Sequence, residues 1–369
     1  MSKPIRVLHV VRKMDFGGVQ SMLMNYYRNI NRELVQFDFL VQGNEPGFFD
    51  NEIKSLGGKI YQVTPMKENL LKYHRDVKSI LRKTNYKIVQ AHQNFANIHS
   101  LTQAHWSKIE VIISHSHNAF PERSVFKQII KKFIQYRINK ISTYKFACSK
   151  KAGEWLYGRE QLENGKVKII NNGIVSEEFK YNQEISNKIR KDLNITGKFV
   201  IGHIGNFSSQ KNHNFLIDIF NDVYKEKKEA KLVLVGIGEL EQIVQEKVIK
   251  LGLEKQVLFL GKRSDVSSLM QAFDILVFPS LYEGLPVVLV EAQASGMKCI
   301  ISKEITDEVK ITDLIESISL NEPSNYWAKN IVNYSYGFER NDTSKLIEDN
   351  GYDIKVEAKR LENLYLEMI

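Results

Sequence analysis

The sequence has little cysteine and no long apolar run. Its two cysteines, Cys148 and Cys299, fall in different halves of the 369-residue chain. Two such distant cysteines do not suit a disulfide framework, so we expect a reducing, cytoplasmic location. The first apolar stretch, Ile5–Val11, has the length of a strand, and nothing near it approaches the roughly 20 apolar residues of a membrane-spanning helix. We therefore expect neither a signal peptide nor a transmembrane helix.

Negative charge is scarce in the first half of the chain. Residues 1–180 contain 29 Lys and Arg against 15 Asp and Glu, whereas residues 181–369 contain 23 against 28. The net charge of +9 therefore divides into +14 and −5. A basic half favours an anionic partner such as a membrane face, a lipid phosphate or nucleic acid, and a generally high lysine content would not explain the difference between the halves. The aromatic and basic array of nucleic-acid-binding modules is missing, so no nucleic acid partner is expected.

Short apolar runs alternate with helical patterns along the chain, which predicts right-handed βαβ units and mostly parallel sheets. The length and the 43% hydrophobic content suit a globular protein of two domains. The predicted strands are Ile5–Val11, Phe37–Val41, Lys59–Val63, Ile88–Ala91, Val111–Ser114, Lys145–Ala147, Val167–Ile170, Phe199–Ile204, Lys231–Val235, Val257–Leu260, Ile275–Phe278 and Cys299–Ser302. The predicted helices include Val19–Ile30, Leu70–Lys83, Val125–Asn139 and Val356–Met368.

Two Rossmann-like domains in series are the resulting α/β interpretation. The polar segment from Asn171 to Asn187 is the predicted linker. We accordingly assign residues 1–175 to the first domain and residues 176–352 to the second.

The stretch from Val277 to Ala292 is the most informative part of the sequence. An apolar strand closes at Pro279, and Gly284 and Pro286 then permit a tight turn into an apolar helix. The unpaired N–H groups at such a helix start favour an anion, which is most often a phosphate.

Two carboxylates, Glu283 and Glu291, bracket this turn at a spacing of eight residues. Glu283 lies on the loop, where it can accept hydrogen bonds from ligand hydroxyls. Glu291 falls inside the apolar helix, where an unpaired charge is costly. A sugar or ribose diol would provide partners for Glu291, and so would the backbone N–H groups of a neighbouring loop. The spacing alone leaves these two alternatives open.

The same stretch resembles the Glu-x7-Glu signature of the family 4 (group 1) glycosyltransferases, with matching Pro-Ser, Glu-Gly-Leu-Pro and Glu-Ala elements. The resemblance implies that Glu283 contacts the donor sugar and that Glu291 binds the ribose of the nucleotide. It also implies that the loop backbone holds the diphosphate through Gly284, Leu285 and Pro286. The likeness extends over nearly the full chain and is closest to enzymes that build bacterial capsular or exopolysaccharides.

Two loops of the first half also follow strands, where ligands of open parallel sheets bind. A glycine pair such as Gly17 and Gly18 indicates only a turn by itself, but the resemblance places it near the donor phosphates or the acceptor. His115 and His117 have the spacing of a metal pair, yet no third ligand lies nearby in the sequence. Polar packing is the commoner role of such histidines. The resemblance favours a contact between His117 and the donor sugar.

Lys211 is the candidate for neutralising the leaving diphosphate, although a solvated loop lysine is the structural alternative. The family pattern is Gly-Arg-x4-Lys, in which both cations meet the diphosphate. Here Lys211 matches, but Asn206 occupies the arginine position. The loss of one such contact costs roughly 10²-fold in rate. Lys262 and Arg263 are predicted to frame the nucleotide base, and either is a candidate to replace the missing charge.

The segment Val125–Lys145 is basic and amphipathic. Its apolar residues recur at helical spacing between six cations, Lys127, Lys131, Lys132, Arg137, Lys140 and Lys145. Such a helix can lie on the inner face of an anionic membrane. It can equally pack its apolar face into a core and leave its lysines solvated, which is the commoner arrangement.

The resemblance implies a GT-B fold, in which two Rossmann-like domains with parallel sheets face each other across a cleft and the last helix, residues 353–369, packs back on the first domain. The implied reaction is a retaining, metal-independent transfer of a hexosyl unit from a nucleotide sugar, preferably a UDP-sugar, to a glycan or polyprenyl-diphosphate-linked acceptor. The predicted catalytic residues are His117, Lys211 and Glu283. No cofactor or metal is expected, because Lys211 and the helix start would meet the diphosphate charge and no Asp-x-Asp motif is present.

Three alternatives use other chemistry. A nucleotide-sugar epimerase and a sugar phosphorylase could share the same fold and cleft. A non-catalytic sugar- or nucleotide-binding partner subunit is favoured by the neutral Asn206 in place of arginine.

Overall fold

The computed structural model describes residues 3–15, 17–120 and 125–369. The chain forms two compact units. The first combines Met1–Ile174 with Gly351–Ile369, and the second comprises Val175–Asn350.

The first unit is built on seven parallel strands. These are β1 (Ile5–Val10), β2 (Val35–Gln42), β3 (Ile60–Val63), β4 (Ile88–Ala91), β5 (Val111–Ser116), β6 (Tyr144–Ala147) and β7 (Val167–Ile169). Their order in the sheet is β3-β2-β1-β4-β5-β6-β7. Its helices are α1 (Gly18–Asn29), α2 (Asp50–Ser55), α3 (Leu70–Lys83), α4 (Asn97–Trp106), α5 (Val125–Ile141), α6 (Lys150–Tyr157) and α7 (Arg159–Glu163).

The second unit contains a sheet of six parallel strands. These are β8 (Phe199–Ile204), β9 (Ala230–Val235), β10 (Val257–Phe259), β11 (Ile275–Phe278), β12 (Lys298–Ser302) and β13 (Ile315–Ile318). Their order is β10-β9-β8-β11-β12-β13. Its helices are α8 (Ser176–Phe179), α9 (Gln183–Asp192), α10 (His213–Glu226), α11 (Glu241–Lys250), α12 (Val266–Ala272), α13 (Val287–Ala294), α14 (Ser324–Val332) and α15 (Ser344–Asp349).

The last helix, α16 (Ile354–Glu367), belongs to the first unit. The Tyr365 hydroxyl donates to Oε1 of Gln90 at 2.6 Å, and Glu362 accepts the backbone N–H of Asn31 at 2.9 Å. Both Tyr365 and Glu362 are buried, so one face of α16 packs into this unit.

All twelve predicted strands are present, and β13 is the strand that the pattern missed. β13 has two polar residues between Ile315 and Ile318 and lies at the edge of its sheet. An interior strand such as β11 is instead buried on both faces and reads as a continuous apolar run. Among the helices of the described residues, none combines the length and the apolarity needed to cross a bilayer.

Candidate active site

A buried pair of opposite charges joins the loops that follow β8 and β11. Nζ of Lys211 lies 2.7 Å from Oε1 of Glu283, and the two side chains are 17% and 6% exposed. Gln210 donates from Nε2 to Oε2 of Glu283 at 2.8 Å and to the carbonyl of Tyr282 at 3.0 Å. The Lys211 ammonium also lies 4.4 Å from the ring centre of Phe278, within cation–π range. Two residues predicted separately are therefore brought together, and Gln210 is a further member that the sequence did not indicate.

Close backbone contacts set the position of the Lys211 side chain. The N–H of Gly205 donates to the carbonyl of Val235 at 2.9 Å, and that of Gly236 donates to Gly261 at 2.8 Å. Gly236 has a φ of +144°, and a Cβ there would lie 2.1 Å from the Gly205 carbonyl oxygen. This position therefore requires glycine. The aliphatic stem of Lys211 runs over Gly205, where a Cβ would meet it at 3.1 Å.

Arg263, a cation proposed to replace the missing arginine, is paired with a neighbouring carboxylate. Arg263 donates from Nε and Nη2 to the two carboxylate oxygens of Asp265, at 2.7 and 2.6 Å. It would have to give up this bidentate pair in order to reach a phosphate. Asn206 and Lys262 have exposed side chains. Their roles in donor binding stay predictions.

Helix α13 begins without a side-chain cap. Pro286 is its N-cap residue, no side chain of the described residues accepts from its first turn, and that turn contains no acidic group. The positive end of the helix is therefore not neutralised locally and favours an anion. Gly284, Leu285 and Pro286 form the buried approach to this helix start.

Glu291 lies one turn into α13 and is half-buried. None of the hydrogen bonds formed by the described residues involves its carboxyl group, so the alternative in which it caps a neighbouring loop is wrong. Burial raises the pKa of the Glu291 carboxyl from 4.5 to about 7. A ligand that donates hydrogen bonds would provide the partners that the protein does not.

His117 belongs to a cluster of buried histidines at the carboxyl ends of β1, β4 and β5. Nδ1 of His9 lies 3.0 Å from Nε2 of His92, and Nδ1 of His92 lies 2.9 Å from Nε2 of His117. His115 is held through Nδ1 by Gln90 at 3.0 Å. Burial lowers the pKa of His9 and His117 to about 3 and, with the neighbouring imidazoles, holds those of His92 and His115 well below 6.5. The cluster is thus neutral at pH 7.

The expectation that the two histidines have no third partner nearby is wrong. β4 pairs with β5 so that Ala91 lies opposite Ser114, which places His92 directly beside His115. One ring nitrogen of each of His92, His115 and His117 lies within 4.8 Å of the others. The strand ends that adjoin in the sheet bring them together, although His92 is far from the pair in sequence.

Neither glycine of the first loop is required by local packing. Gly17 has an extended backbone with φ 171° and ψ 158°, and it precedes α1, which begins at Gly18. A Cβ on Gly17 would meet only the end of the flexible Gln20 side chain, and one on Gly18 would meet nothing within 4 Å. The space around Gly18 is therefore open to a ligand, and the predicted role of both residues rests on the family resemblance.

Comparison with known proteins identifies the family. The model for Glycosyltransferase Family 4 matches residues 16–178, and the model for Glycosyl transferases group 1 matches residues 185–311. EpsF of Bacillus subtilis (strain 168), a protein named as a glycosyltransferase, is 35% identical over 368 residues, which cover 98% of this chain and 96% of EpsF. The chain belongs to the family 4 (group 1) glycosyltransferases.

Two other members of the family have more specific names. The Escherichia coli UDP-Gal:alpha-D-GlcNAc-diphosphoundecaprenol alpha-1,3-galactosyltransferase is 23% identical over 99% of this chain and 97% of its own length. The capsular polysaccharide biosynthesis glycosyltransferase CapH of Staphylococcus aureus is 23% identical over 98% of this chain and 99% of its own. These names confirm the predicted likeness to enzymes of capsular and exopolysaccharide synthesis.

Solved structures of other proteins share the fold. The crystal structure of Anabaena Alr3699/HepE in complex with UDP-glucose matches with a TM-score of 0.80 at 20% identity, covering 99% of this chain and 100% of that one. The predicted fold class, a GT-B arrangement of two Rossmann-like domains with parallel sheets, is confirmed.

Proposed function

We propose that this glycosyltransferase moves a hexosyl unit from a UDP-sugar to a lipid-linked acceptor, with retention at the anomeric carbon, in the synthesis of a cell-surface polysaccharide. The observation that carries the proposal is the ion pair between Lys211 and Glu283. Glu283 lies four residues before Val287, where α13 starts without a side-chain cap. The UDP-glucose bound to HepE and the UDP-Gal and diphosphoundecaprenol in the name of the Escherichia coli relative support this choice of donor and acceptor.

The leaving diphosphate is the group whose charge the site must meet. In our proposal the Lys211 ammonium turns from Glu283 towards the phosphates, and the first N–H groups of α13 point at the same charge. Glu283 then accepts hydrogen bonds from hydroxyls of the donor sugar. Glu291 accepts the ribose diol. The contacts of Lys211 and of the α13 N–H groups stabilise charge that develops on the diphosphate in the transition state, so they lower the barrier rather than only tightening binding.

Retention follows most simply from attack on the face that the diphosphate leaves. The bond from the acceptor oxygen to the anomeric carbon forms while the bond to the diphosphate breaks, and the departing phosphate oxygen takes the acceptor's proton. Glu283 suits a sugar contact better than a nucleophile, because Gln210 continues to hold its Oε2 after Lys211 has turned to the phosphates. The contact proposed between His117 and the donor sugar rests on the resemblance.

Transfer by the purified full-length chain tests this function. With UDP-glucose, UDP-galactose or UDP-N-acetylglucosamine and a polyprenyl-diphosphate-linked sugar, we expect release of UDP from one donor that depends on the acceptor. Nuclear magnetic resonance of the product should show the donor's anomeric configuration. Conversion of a donor without acceptor would instead identify an epimerase. A rise in melting temperature with UDP-sugar but no turnover would identify a non-catalytic subunit.

The outward side of α5 gives the protein a surface for the membrane that carries such an acceptor. Ile129, Phe133 and Tyr136 are 62, 64 and 61% exposed. The cations Lys132, Arg137 and Lys140 are exposed at interleaved positions of the same helix. The side chains of residues 125–127, including Lys127, lie outside the described part of the chain. We propose that this face lies on an anionic lipid surface, because large apolar groups and cations together match such an interface.

Vesicle sedimentation measures this interaction. Changing Lys132, Arg137 and Lys140 together to alanine should weaken binding to anionic vesicles by about 10²-fold, since each cation near the surface contributes about 1 kcal/mol. Serine at Ile129 and Phe133 should weaken it further, because the apolar contribution is lost as well. A matched triple change at Arg75, Arg82 and Lys83, which are exposed on α3, should have little effect. Equal losses in the two triple variants would show a non-specific charge effect and would contradict an α5 docking face.

A further inference from the structure

The proposed reaction uses only one member of the histidine cluster in the first unit. His92, His115 and His117 are all buried, and their ring nitrogens converge within 4.8 Å of one another. Three imidazoles are the protein ligands of open zinc centres. We propose that these three histidines bind one divalent transition-metal ion of the zinc class, with water in the fourth position.

An unpartnered nitrogen is the clearest sign of a missing ligand. Nδ1 of His115 pairs with Gln90, but its Nε2 is buried and has no hydrogen-bond partner among the described residues. A buried polar group that is left without a partner destabilises the fold. An ion bound at Nε2 would supply the partner, and the other two rings lie beside it.

The second ring nitrogens of His92 and His115 are held in the way that those of metal-binding histidines usually are. His92 can donate from Nε2 to Nδ1 of His9, which leaves the Nδ1 lone pair of His92 for the ion. Oε1 of Gln90 accepts from the Tyr365 hydroxyl at 2.6 Å, and Nε2 of Gln90 lies 3.0 Å from Nδ1 of His115. The Tyr365 hydroxyl can also accept a hydrogen bond, so it can partner either end of the Gln90 amide. Because Nε2 of His115 binds a metal only when Nδ1 carries the proton, the Gln90 amide must turn so that its oxygen accepts that proton.

The ion would take the place of a hydrogen bond. Nδ1 of His92 and Nε2 of His117 are 2.9 Å apart, whereas two nitrogens of a tetrahedral zinc site are about 3.4 Å apart. His92 and His117 therefore need to separate by ~0.5 Å, while the ligand nitrogen of His115, which lies within 4.8 Å of theirs, closes to a similar distance. His117 is 7% exposed, so the site has an edge through which an ion can enter.

Metal binding by the three histidines does not require the transfer reaction. One consequence rests on the proposed function: if His117 contacts the donor sugar, an occupied site withdraws its Nε2, and the ion inhibits transfer. Failure of that inhibition would count against the sugar contact, while the metal site would still be judged by binding alone.

Metal titration of the untagged full-length chain tests the site. Zn²⁺ competed against a chromophoric chelator should bind at one equivalent, and Co²⁺ should give the intense visible bands of a four-coordinate ion. His115→Ala should lower the affinity by about 100-fold or more, and Gln90→Glu should raise it by about 10-fold, because a carboxylate makes its histidine partner more basic. His99→Ala removes one member of the more exposed His74–His99 pair of the same unit and should leave the affinity unchanged.

Several results would overturn the proposal. One is the absence of stoichiometric Zn²⁺ binding, and another is a weak six-coordinate Co²⁺ spectrum. A third is equal affinity in the wild type and in His115→Ala. If His115→Ala does not fold, the comparison between Gln90→Glu and the wild type decides, because a histidine cluster with a purely structural role gives no gain in zinc affinity.

Discussion

Replacement of Lys211 by alanine is expected to reduce transfer by about 10²–10³-fold, the effect of removing one preorganised charge contact at a developing anion. The same change should destabilise the fold by about 3 kcal/mol, because it leaves Glu283 buried without its ion-pair partner. The first effect is measured as kcat/KM with the preferred UDP-sugar, and the second by denaturant unfolding.

A second variant separates these two effects. Adding Glu283→Gln to Lys211→Ala removes the orphaned charge, so stability should largely recover while transfer stays low. Lys247→Ala is the matched control, because Lys247 is similarly buried at 21% exposure and pairs with Asp218 on another helix. It should keep full activity. Transfer that survives in Lys211→Ala would remove Lys211 from the site and, with it, the basis of the proposed chemistry.

Replacement of Glu291 by glutamine is expected to change stability and donor binding in opposite directions. The folded-state pKa of Glu291 is about 7, above the ordinary 4.5. As the pH rises between these values, the unfolded chain loses its proton first, so the wild-type fold loses stability. At pH 8 the variant should therefore be more stable than the wild type by on the order of 1–2 kcal/mol, allowing for the partial exposure of the group. At pH 4 the two should be equal.

The affinity for the donor should fall in Glu291→Gln, in contrast to the gain in stability. A carboxylate that accepts hydrogen bonds from two ribose hydroxyls contributes about 1.5–3 kcal/mol to binding. Glu291→Gln should therefore weaken the binding of UDP-glucose by roughly 10–100-fold at pH 8. Wild-type affinity should fall as the pH drops through 7, because the protonated carboxyl accepts less well, whereas the variant should show no such change. Calorimetry at pH 5.5 and 8 measures this difference. Glu246→Gln, on exposed α11, is the control. Unchanged affinity in Glu291→Gln would exclude the ribose contact.

The elements of the fold were largely predictable because parallel strands buried on both faces leave a continuous apolar run in the sequence. β11 and the loop after it also identified the site, since ligands of such sheets bind beyond the strand ends. The edge strand β13 escaped this pattern because one side of the strand has no partner strand, and its residues are only partly buried apart from Ile318.

The partners of the site residues were not predictable in the same way. No pattern in the sequence marks Gln210, which precedes Lys211. In the structure its side chain donates hydrogen bonds to Glu283 and to the Tyr282 carbonyl. The sequence likewise allowed α5 to be either a helix packed into the core or a helix lying on a membrane surface. Its exposed apolar groups became visible only when the packing of the unit showed which side of the helix faces outward.

The sequence alone determined the parallel strands of the two domains, the Glu-x7-Glu segment and the position of Lys211, because each is a local pattern of residues along the chain. The tertiary structure decided that Lys211 and Glu283, 72 residues apart, neutralise each other. It also decided that Glu291 has no hydrogen-bond partner within residues 3–15, 17–120 and 125–369 and that His92 joins His115 and His117. Charge pairing and burial depend on which strand ends adjoin in the folded sheet, and spacing along the chain does not specify that.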